Sequence, residues 1–333
     1  MIEKAESDII KYWNNKDNIS VTINCIAYNQ EKFIEKAIDS FLMQQTDFAY
    51  EILIHDDASD DGTAEIIKKY ENKYPNIVKG IYEDVNQWSN GNKNIFGINC
   101  KKARGKYIAL CEGDDFFSSE MKLQKCFNFM EKHPDFSACT HQTNVVDLDG
   151  NYIRKFYKGD EDVEIKNLDS FLTFPHTSSY FFKNPYHNSF YNLSFINKFN
   201  FVSGWDKSYV LYFFATGKIY YSAEVMSCYR YSNNQGSGWT YSMGKENRTK
   251  LIMTAELAQL NQIKEYKLKI NMAPHYYRNV MMYSLLWFIK TLSIKNLSIF
   301  LYAFRNCPRK LGYIWYLFTF PYRKVMRSLK NNE

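Results

Sequence analysis

Two groups of carboxylates, each placed directly after an apolar stretch, are the residues of this sequence best suited to do chemistry. One is Glu112-Gly113-Asp114-Asp115, which follows residues 106–111, and the other is Asp56-Asp57, which follows residues 51–54. Carboxylates this close repel one another, so a half-buried group of them needs a cation beside it. Oxygen ligands suit Mg²⁺ or Mn²⁺ rather than zinc. The spacing of these acids alone is equally compatible with an acidic turn exposed to solvent.

Four short stretches predict the strands that would position these acids. They are residues 19–26, 51–54, 77–82 and 106–112, and helical patterns alternate with them. This alternation predicts βαβ units and a mainly parallel α/β sheet. Both acidic groups would then lie at the carboxyl edge of the sheet, where open α/β sheets bind ligands. Asn29 is predicted to cap the helix after the first strand.

Composition narrows the class of protein. The 333 residues are 45% hydrophobic and 23% charged, which indicates one large globular domain or two modest ones. Seven cysteines without a C-x-x-C pair argue against a disulfide framework or a structural zinc site and favour a reducing cytoplasm. The charged N-terminus predicts no signal peptide. The longest apolar runs are about half the roughly 20 residues that a spanning helix needs, so we expect no transmembrane segment.

Three motifs in order resemble those of the family 2 glycosyltransferases. They are Ala27-Tyr28-Asn29 after the first strand, Asp56-Asp57-Ala58-Ser59-Asp60-Asp61-Gly62-Thr63 after the second, and Cys111-Glu112-Gly113-Asp114-Asp115-Phe116-Phe117 with Lys122-Leu123-Gln124-Lys125 after the fourth. The resemblance covers residues 18–240. It implies the GT-A fold, in which helices flank a Rossmann-like, mainly parallel sheet. It also implies an inverting enzyme of the bacterial branch with an E-G-D-D signature.

The resemblance also implies a nucleotide-binding set. Tyr28 would pack on the base beside Ala27 and Asn29, Asp57 would accept the uracil N–H, Glu112 would lie near the ribose, and Arg230 would face the diphosphate. The loop of residues 232–239 would close over the bound donor. Tyr28 could instead be a core aromatic, and Asp57 an acid favoured at a helix N-terminus.

The resemblance implies roles in metal binding and catalysis for three further acidic residues. The last acid of the family's D-x-D motif corresponds to Asp114, which would bind Mn²⁺ or Mg²⁺, while Asp115 would support it from behind. Asp206 corresponds to the general base that takes the proton of the acceptor hydroxyl. Trp205 stands between Gly204 and this acid, a departure from the branch, and a plain helix cap is the alternative.

Three residues are predicted, with less support, to contact the acceptor. Trp205 could stack on a sugar or lie in the core, and His141 and His176 fall near strand ends on the same side of the sheet. The predicted ligands are therefore a nucleotide-sugar donor and a glycan or glycolipid acceptor.

The C-terminal part of the chain differs in charge from the rest. Residues 267–333 contain 12 Lys/Arg, one acid and 14 aromatic residues. This leaves a net charge of −5 on residues 1–266, because the whole chain carries +6. A basic, aromatic region suits peripheral contact with an anionic membrane, or it packs as an ordinary helical extension. We predict a lead-in (residues 1–18), a catalytic domain (19–240) and a helical C-terminal region (241–333).

Other classes fit the sequence less well. A sugar nucleotidyltransferase would carry a glycine-rich loop after the first strand, which Ala27-Tyr28-Asn29-Gln30-Glu31 lacks. A phospho-receiver places its acid pair after the first strand and is about a third of this length. The acidic body argues against a nucleic-acid binder. A non-catalytic nucleotide-sugar-binding protein also remains as an alternative.

Overall fold

The computed structural model describes residues 3–91, 95–157, 159–166, 175–187, 205–231, 253–254, 256–258, 260–261 and 273–307, with side chains for all of these except 205–208 and 273–276. The chain divides into two compact units, Met1–Tyr241 and Ser242–Glu333. The functional division into three parts stays a prediction.

The strands are β1 (Ile19–Ala27), β2 (Ala49–Asp56), β3 (Val78–Tyr82), β4 (Tyr107–Glu112), β5 (Phe116–Phe117), β6 (Phe136–Val146), β7 (Tyr152–Lys155), β8 (Val163–Glu164), β9 (Phe181–Lys183) and β10 (Lys218–Arg230). The helices are α1 (Glu6–Ile10), α2 (Ile34–Leu42), α3 (Thr63–Lys73), α4 (Ile95–Lys102), α5 (Lys122–Lys132), α6 (Trp205–Thr216), α7 (Ala273–Thr291) and α8 (Ile294–Asn306).

One mixed sheet runs through the first unit in the order β3-β2-β1-β4-β9-β6-β10-β5. The strands β3, β2, β1 and β4 are all parallel, which confirms the predicted α/β class and its βαβ units. In their register Ala27 pairs with Asp56, and Ile26 pairs with Glu112. The ends of these three strands therefore lie side by side, and both acidic groups emerge at one edge of the sheet.

The other half of the sheet is less regular. The short strand β9 pairs antiparallel with both β4 and β6, and β10 runs parallel to β6. The hairpin strand β5 pairs antiparallel with the end of β10, at Cys228 opposite Phe116. This pairing carries the last residue of β10, Arg230, back to the acidic group after β4.

Apolar residues on both faces explain why the parallel strands form the centre of the core. The strand β2 is buried at every position, as expected for a parallel strand covered by helices on both sides. The core cluster includes Val21, Ile23, Ile52 and Ile54 together with Ile38 of α2. Burying each such side chain contributes about 1.5–3 kcal/mol, so this register is strongly specified.

The described part of the second unit contains a helical hairpin formed by α7 and α8. The two helices pack against each other, and Val280, Met281 and Ala303 are buried. Across the described residues, no helix combines the length and apolar character needed to span a bilayer.

Candidate active site

The loops that follow β1 and β2 are hydrogen-bonded to each other. Asn29 has a φ of 52° and Ala58 a φ of 60°, both in the left-handed region that non-glycine residues seldom adopt. The Asn29 N–H donates to Ser59 Oγ at 3.0 Å, and Asn29 Oδ1 accepts the Asp60 N–H at 3.0 Å. Residues held in such strained conformations cluster at functional sites. Asn29 therefore joins the two loops at the edge of the sheet.

The predicted helix cap at Asn29 is wrong. The helix α2 begins at Ile34 with Phe33 at the N-cap position, where no side chain makes a capping hydrogen bond. The Asn29 side chain instead accepts a backbone hydrogen bond from the β2 loop. Asn29 thus bonds to a residue of another loop instead of to the first turn of α2. Short-range sequence patterns do not reveal such a long-range partner.

Asp57 is buried and holds the loop that follows β3. Its Oδ1 accepts the Gln87 N–H at 2.7 Å, and its Oδ2 accepts the Trp88 N–H at 3.2 Å. Asn86 also donates its side-chain amide to the Asp57 carbonyl at 3.0 Å. A carboxylate offers about four acceptor positions, so Asp57 keeps capacity for a further donor. The predicted contact with a nucleobase is therefore compatible with this structural role.

Tyr28 and Ala27 lie at the end of β1 with opposite exposure. Ala27 is fully buried, whereas Tyr28 is 43% exposed. An aromatic ring this exposed is not a core residue, and it stands at the edge where the acids emerge. The core alternative for Tyr28 is thereby excluded.

Gly113 sits where the acidic turn passes closest to the β1 loop. A Cβ at position 113 would lie 2.3 Å from Gln30 Oε1 and 2.8 Å from Ile34 Cδ1. The Gly113 N–H donates to the Ile26 carbonyl at 2.9 Å, which ties the turn to β1. The glycine between Glu112 and Asp114 is therefore needed for this close approach.

Asp115 is a fully buried acid with one half of its carboxylate unsatisfied. Its Oδ1 accepts the backbone N–H of Arg230 at 2.9 Å, while its Oδ2 has no hydrogen-bond partner among the described residues. Burial raises the pKa of Asp115 well above its usual value, and the negative charges of Asp114 and Glu112 raise this pKa further. A buried, unpaired carboxylate oxygen is costly, so this position favours a bound cation or a proton.

Arg230 supplies the positive charge of the site. Its guanidinium lies between the rings of Phe33 and Phe116, 5.0 and 4.8 Å from their centroids. One guanidinium nitrogen donates to the Asp114 carbonyl at 2.6 Å. Burial raises the pKa of the Asp114 carboxyl, and the charge of Arg230 partly offsets this shift. The last residue of β10 thus reaches the acids of β4 across 116 positions of sequence.

His176 lies on the other side of Asp115. Its Nδ1 is 3.6 Å from Asp115 Oδ2, and its ring stacks on Tyr229 with centroids 4.1 Å apart. Burial, with the nearby charge of Lys122, lowers the pKa of His176 to about 3, so the contact with Asp115 is not an ion pair at neutral pH. The next residue, Thr177, donates its hydroxyl to Glu112 at 3.3 Å.

Three of the described residues form a donor set that fits a divalent cation, and the predicted ligand Asp114 is not among them. Glu112, Asp115 and His176 each offer one atom, and the three atoms lie within 4.8 Å of one another. The unsatisfied Oδ2 of Asp115 points to the same conclusion, because a cation would complete its coordination. Carboxylate oxygens with one neutral imidazole suit Mn²⁺, which accepts both ligand types. His176 Nδ1 accepts the Ser178 N–H at 3.2 Å, so a cation bound to this nitrogen would replace that hydrogen bond. The sequence analysis placed His176 among the acceptor contacts and missed its proximity to Asp115.

The remaining predicted residues are not joined to this cluster by any described contact. His141 is buried within β6, and its Nδ1 bonds to the Gln142 carbonyl at 2.8 Å. Trp205 and Asp206 form the start of α6, in agreement with a helix near this point, but their side chains lie outside the described part of the chain. The predicted closing loop, residues 232–239, also lies outside the described residues.

The mixed sheet and its flanking helices have the arrangement of the GT-A fold. A profile of the family described as Glycosyl transferase family 2 matches residues 22–200, so the chain belongs to this family. The matched region contains β1 to β9 and the acids at the ends of β2 and β4.

Comparison with individual proteins agrees with this assignment. An uncharacterized protein of Mycobacterium tuberculosis is 39% identical over 131 residues, which are 39% of this chain and 37% of that protein. The putative teichuronic acid biosynthesis glycosyltransferase TuaG of Bacillus subtilis is 29% identical over 144 residues, 43% of this chain and 54% of that protein. The matches therefore span about a third to a half of these relatives.

A solved structure shows the same fold. The crystal structure of S. aureus TarS 1-349 in complex with UDP-GlcNAc superposes with a TM-score of 0.58 at 16% identity, covering 86% of this chain and 80% of that chain. At this identity the likeness establishes the fold. The predicted GT-A class is thereby confirmed, and helices are present in the C-terminal region as predicted.

Proposed function

We propose that this protein is an inverting glycosyltransferase. It would transfer a sugar from a nucleotide-sugar, with a UDP-sugar as the favoured donor. The acceptor would be a hydroxyl of a glycan or lipid-linked glycan during synthesis of a cell-surface polysaccharide. The observation that carries the proposal is the convergence of the Glu112 and Asp115 carboxylates, the neutral imidazole of His176 and Arg230 at the carboxyl edge of the sheet. Such a set suits a diphosphate with a bound cation. Family membership and the likeness to TuaG support the polysaccharide context.

The nucleoside would bind between the loops after β1 and β2. Tyr28 offers an exposed ring for the base, and Ala27 and Asn29 shape the backbone beneath it. Asp57 would accept the N–H of a uracil ring, and Glu112 would lie near the ribose. The E-G-D-D signature of these acids is the basis for placing the protein in that branch.

The diphosphate would bind beside Asp114. We propose Asp114 as the metal ligand, with Asp115 behind it. Glu112, Asp115 and His176, whose donor atoms lie within 4.8 Å of one another, would add donors to the same cation. A bound Mn²⁺ or Mg²⁺ would stabilise the negative charge of the leaving diphosphate. Arg230 contributes a second positive charge, and the flanking rings of Phe33 and Phe116 hold its guanidinium in place.

The acceptor would bind on the side of α6. Asp206, in the first turn of this helix, would remove the proton from the attacking hydroxyl. Trp205 and His176 are the proposed acceptor contacts. His141 would act through its neighbours rather than by direct contact, because it is buried.

We place this activity in the cytoplasm, with peripheral contact between the C-terminal region and the inner face of an anionic membrane. The net charge of +11 over residues 267–333 supports this location. Nucleic acid is not a proposed partner.

The test is donor hydrolysis and transfer with UDP-, GDP- and dTDP-sugars in the presence of Mn²⁺. The expected result is turnover of one donor class, lost in Asp114→Asn and retained in Asp149→Asn. The control residue is an exposed acid in the turn after β6. Absence of binding and turnover with every donor, or normal turnover by Asp114→Asn, would refute the proposal.

The same assay separates the alternative functions. A sugar nucleotidyltransferase would release pyrophosphate from a nucleoside triphosphate and a sugar phosphate. A non-catalytic binding protein would bind the donor without turnover. Release of nucleoside diphosphate together with inversion at the anomeric carbon is the outcome that only the proposed function gives.

A further inference from the structure

The turn between α7 and α8 exposes a group of aliphatic side chains to water. Ile289, Leu292 and Ile294, here called the tip aliphatics, are 63%, 75% and 83% exposed. Single exposed apolar residues are common on protein surfaces. Three of them within six residues at the end of a hairpin form a patch, and exposed apolar patches mark interaction sites.

Leu292 occupies this turn at a conformational cost. Its φ is 51°, in the left-handed region, and its N–H donates to the Phe288 carbonyl at 2.7 Å at the end of α7. Glycine or asparagine normally fills such a position because a larger side chain is strained there. A leucine here neither packs in a core nor suits the turn, so folding does not explain its presence.

The charges around the tip favour a negatively charged partner. Lys290 and Lys295 flank the tip aliphatics, and both are exposed. Residues 273–307 contain four Lys/Arg residues and no Asp or Glu. A second copy of this chain docked on the tip would bring lysines against lysines. A bilayer with anionic headgroups accepts both the aliphatic groups and the lysines.

We propose that the tip of the α7–α8 hairpin docks on an anionic lipid bilayer. The tip aliphatics insert among the headgroups and upper acyl chains, while the two lysines remain at the level of the lipid phosphates. The proposal narrows the peripheral membrane contact of the C-terminal region to one turn. Its biological purpose rests on the proposed function, whereas the binding to lipid does not.

The experiment is co-sedimentation of the full chain with vesicles of phosphatidylcholine, either pure or with about one third phosphatidylglycerol. Leu292→Asn is expected to weaken binding about five- to tenfold while its Tm stays the same or rises, because asparagine suits the left-handed turn. Ile294→Glu is expected to weaken binding more than tenfold. The matched control is Ile153→Glu, which changes a 46% exposed isoleucine on β7 and should bind as the wild type does.

Three results would overturn the proposal. They are wild-type binding that does not depend on phosphatidylglycerol, unchanged vesicle binding by both tip variants, and a concentration-dependent dimer that Leu292→Asn dissociates. Donor hydrolysis in solution, measured on the same samples, should be equal in all four proteins. Loss of vesicle binding by the tip variants with intact hydrolysis would support the tip as the lipid contact. Absence of hydrolysis in the wild type would count against the proposed function and would leave the lipid contact untouched.

Discussion

The two sides of the candidate site differ in how well their buried carboxylates are satisfied. On the nucleoside side, formed by the loops after β1, β2 and β3, Asp57 accepts two backbone N–H groups and Asn29 bonds to Ser59 and Asp60. On the diphosphate side, formed by residues 112–115, His176 and Arg230, a buried carboxylate oxygen lacks a hydrogen-bond partner within the described structure. The carboxylates of the first side are held by the chain itself, whereas the Asp115 carboxylate on the second needs a bound cation or a proton.

The largest effect is expected from Asp115→Asn, which removes a buried charge but keeps the acceptor for the Arg230 N–H. Turnover should fall by about 100-fold or more, because the charge that balances a cation is lost. The Tm in EDTA should rise by about 2–4 °C, because a carboxylate buried beside Asp114 and Glu112 no longer needs desolvation. Steady-state kinetics and thermal unfolding measure both effects. A lower Tm in EDTA would show that Asp115 is already satisfied without a cation.

A smaller effect is expected where the two sides touch. Gly113→Ala should weaken donor binding about tenfold, because the new Cβ collides with the Gln30 side chain and displaces the acidic turn. Calorimetric titration of the donor measures this change. The double variant Gly113→Ala/Gln30→Ala should recover part of the affinity, because the contact with Gln30 at 2.3 Å is removed and the contact with Ile34 Cδ1 at 2.8 Å remains. Additive effects of the two changes would contradict the close-approach explanation.

On the nucleoside side, Asp57→Ala should mainly reduce stability. Two partly buried N–H groups, of Gln87 and Trp88, lose their acceptor, at a cost of about 1 kcal/mol. Hydrogen exchange at residues 86–88 should accelerate, and Asp57→Asn should show about half the effect because one acceptor oxygen remains. Unchanged exchange in the alanine variant would mean that Asp57 does not order this loop.

His141 lies outside both sides of the site, and it should make the free energy of unfolding depend on pH. This dependence is a reference for a buried group that takes no part in cation binding. Burial and the charge of Lys122 lower its pKa well below the usual value of 6.5. The folded state therefore binds fewer protons than the unfolded state, and the contribution of this group is complete above pH 6.5 and lost as pH falls towards the folded pKa. Unfolding of wild type and His141→Gln from pH 7 to 5 should show a steeper decline in the wild type, and parallel declines would contradict the assignment.

The two sides also differ in how far the sequence predicts them. The apolar strands and the acids after them are local patterns, and their shared edge follows from parallel pairing. The approach of Arg230 and His176 depends on β10 and β9, which join the sheet through long-range pairings that no local pattern specifies. Asn29 failed as a cap for the same reason, because its partner Asp60 comes from another loop.

The most direct test of the account is the affinity for UDP, measured by calorimetry with Mn²⁺ and with EDTA. Because the diphosphate side is incomplete without a cation, UDP should bind at least about tenfold more tightly with Mn²⁺. Asp114→Asn should abolish this difference while leaving the fold intact. Equal affinity in Mn²⁺ and EDTA, or a full Mn²⁺ effect in Asp114→Asn, would contradict the central claim that these acids form a cation-dependent site for a nucleotide diphosphate.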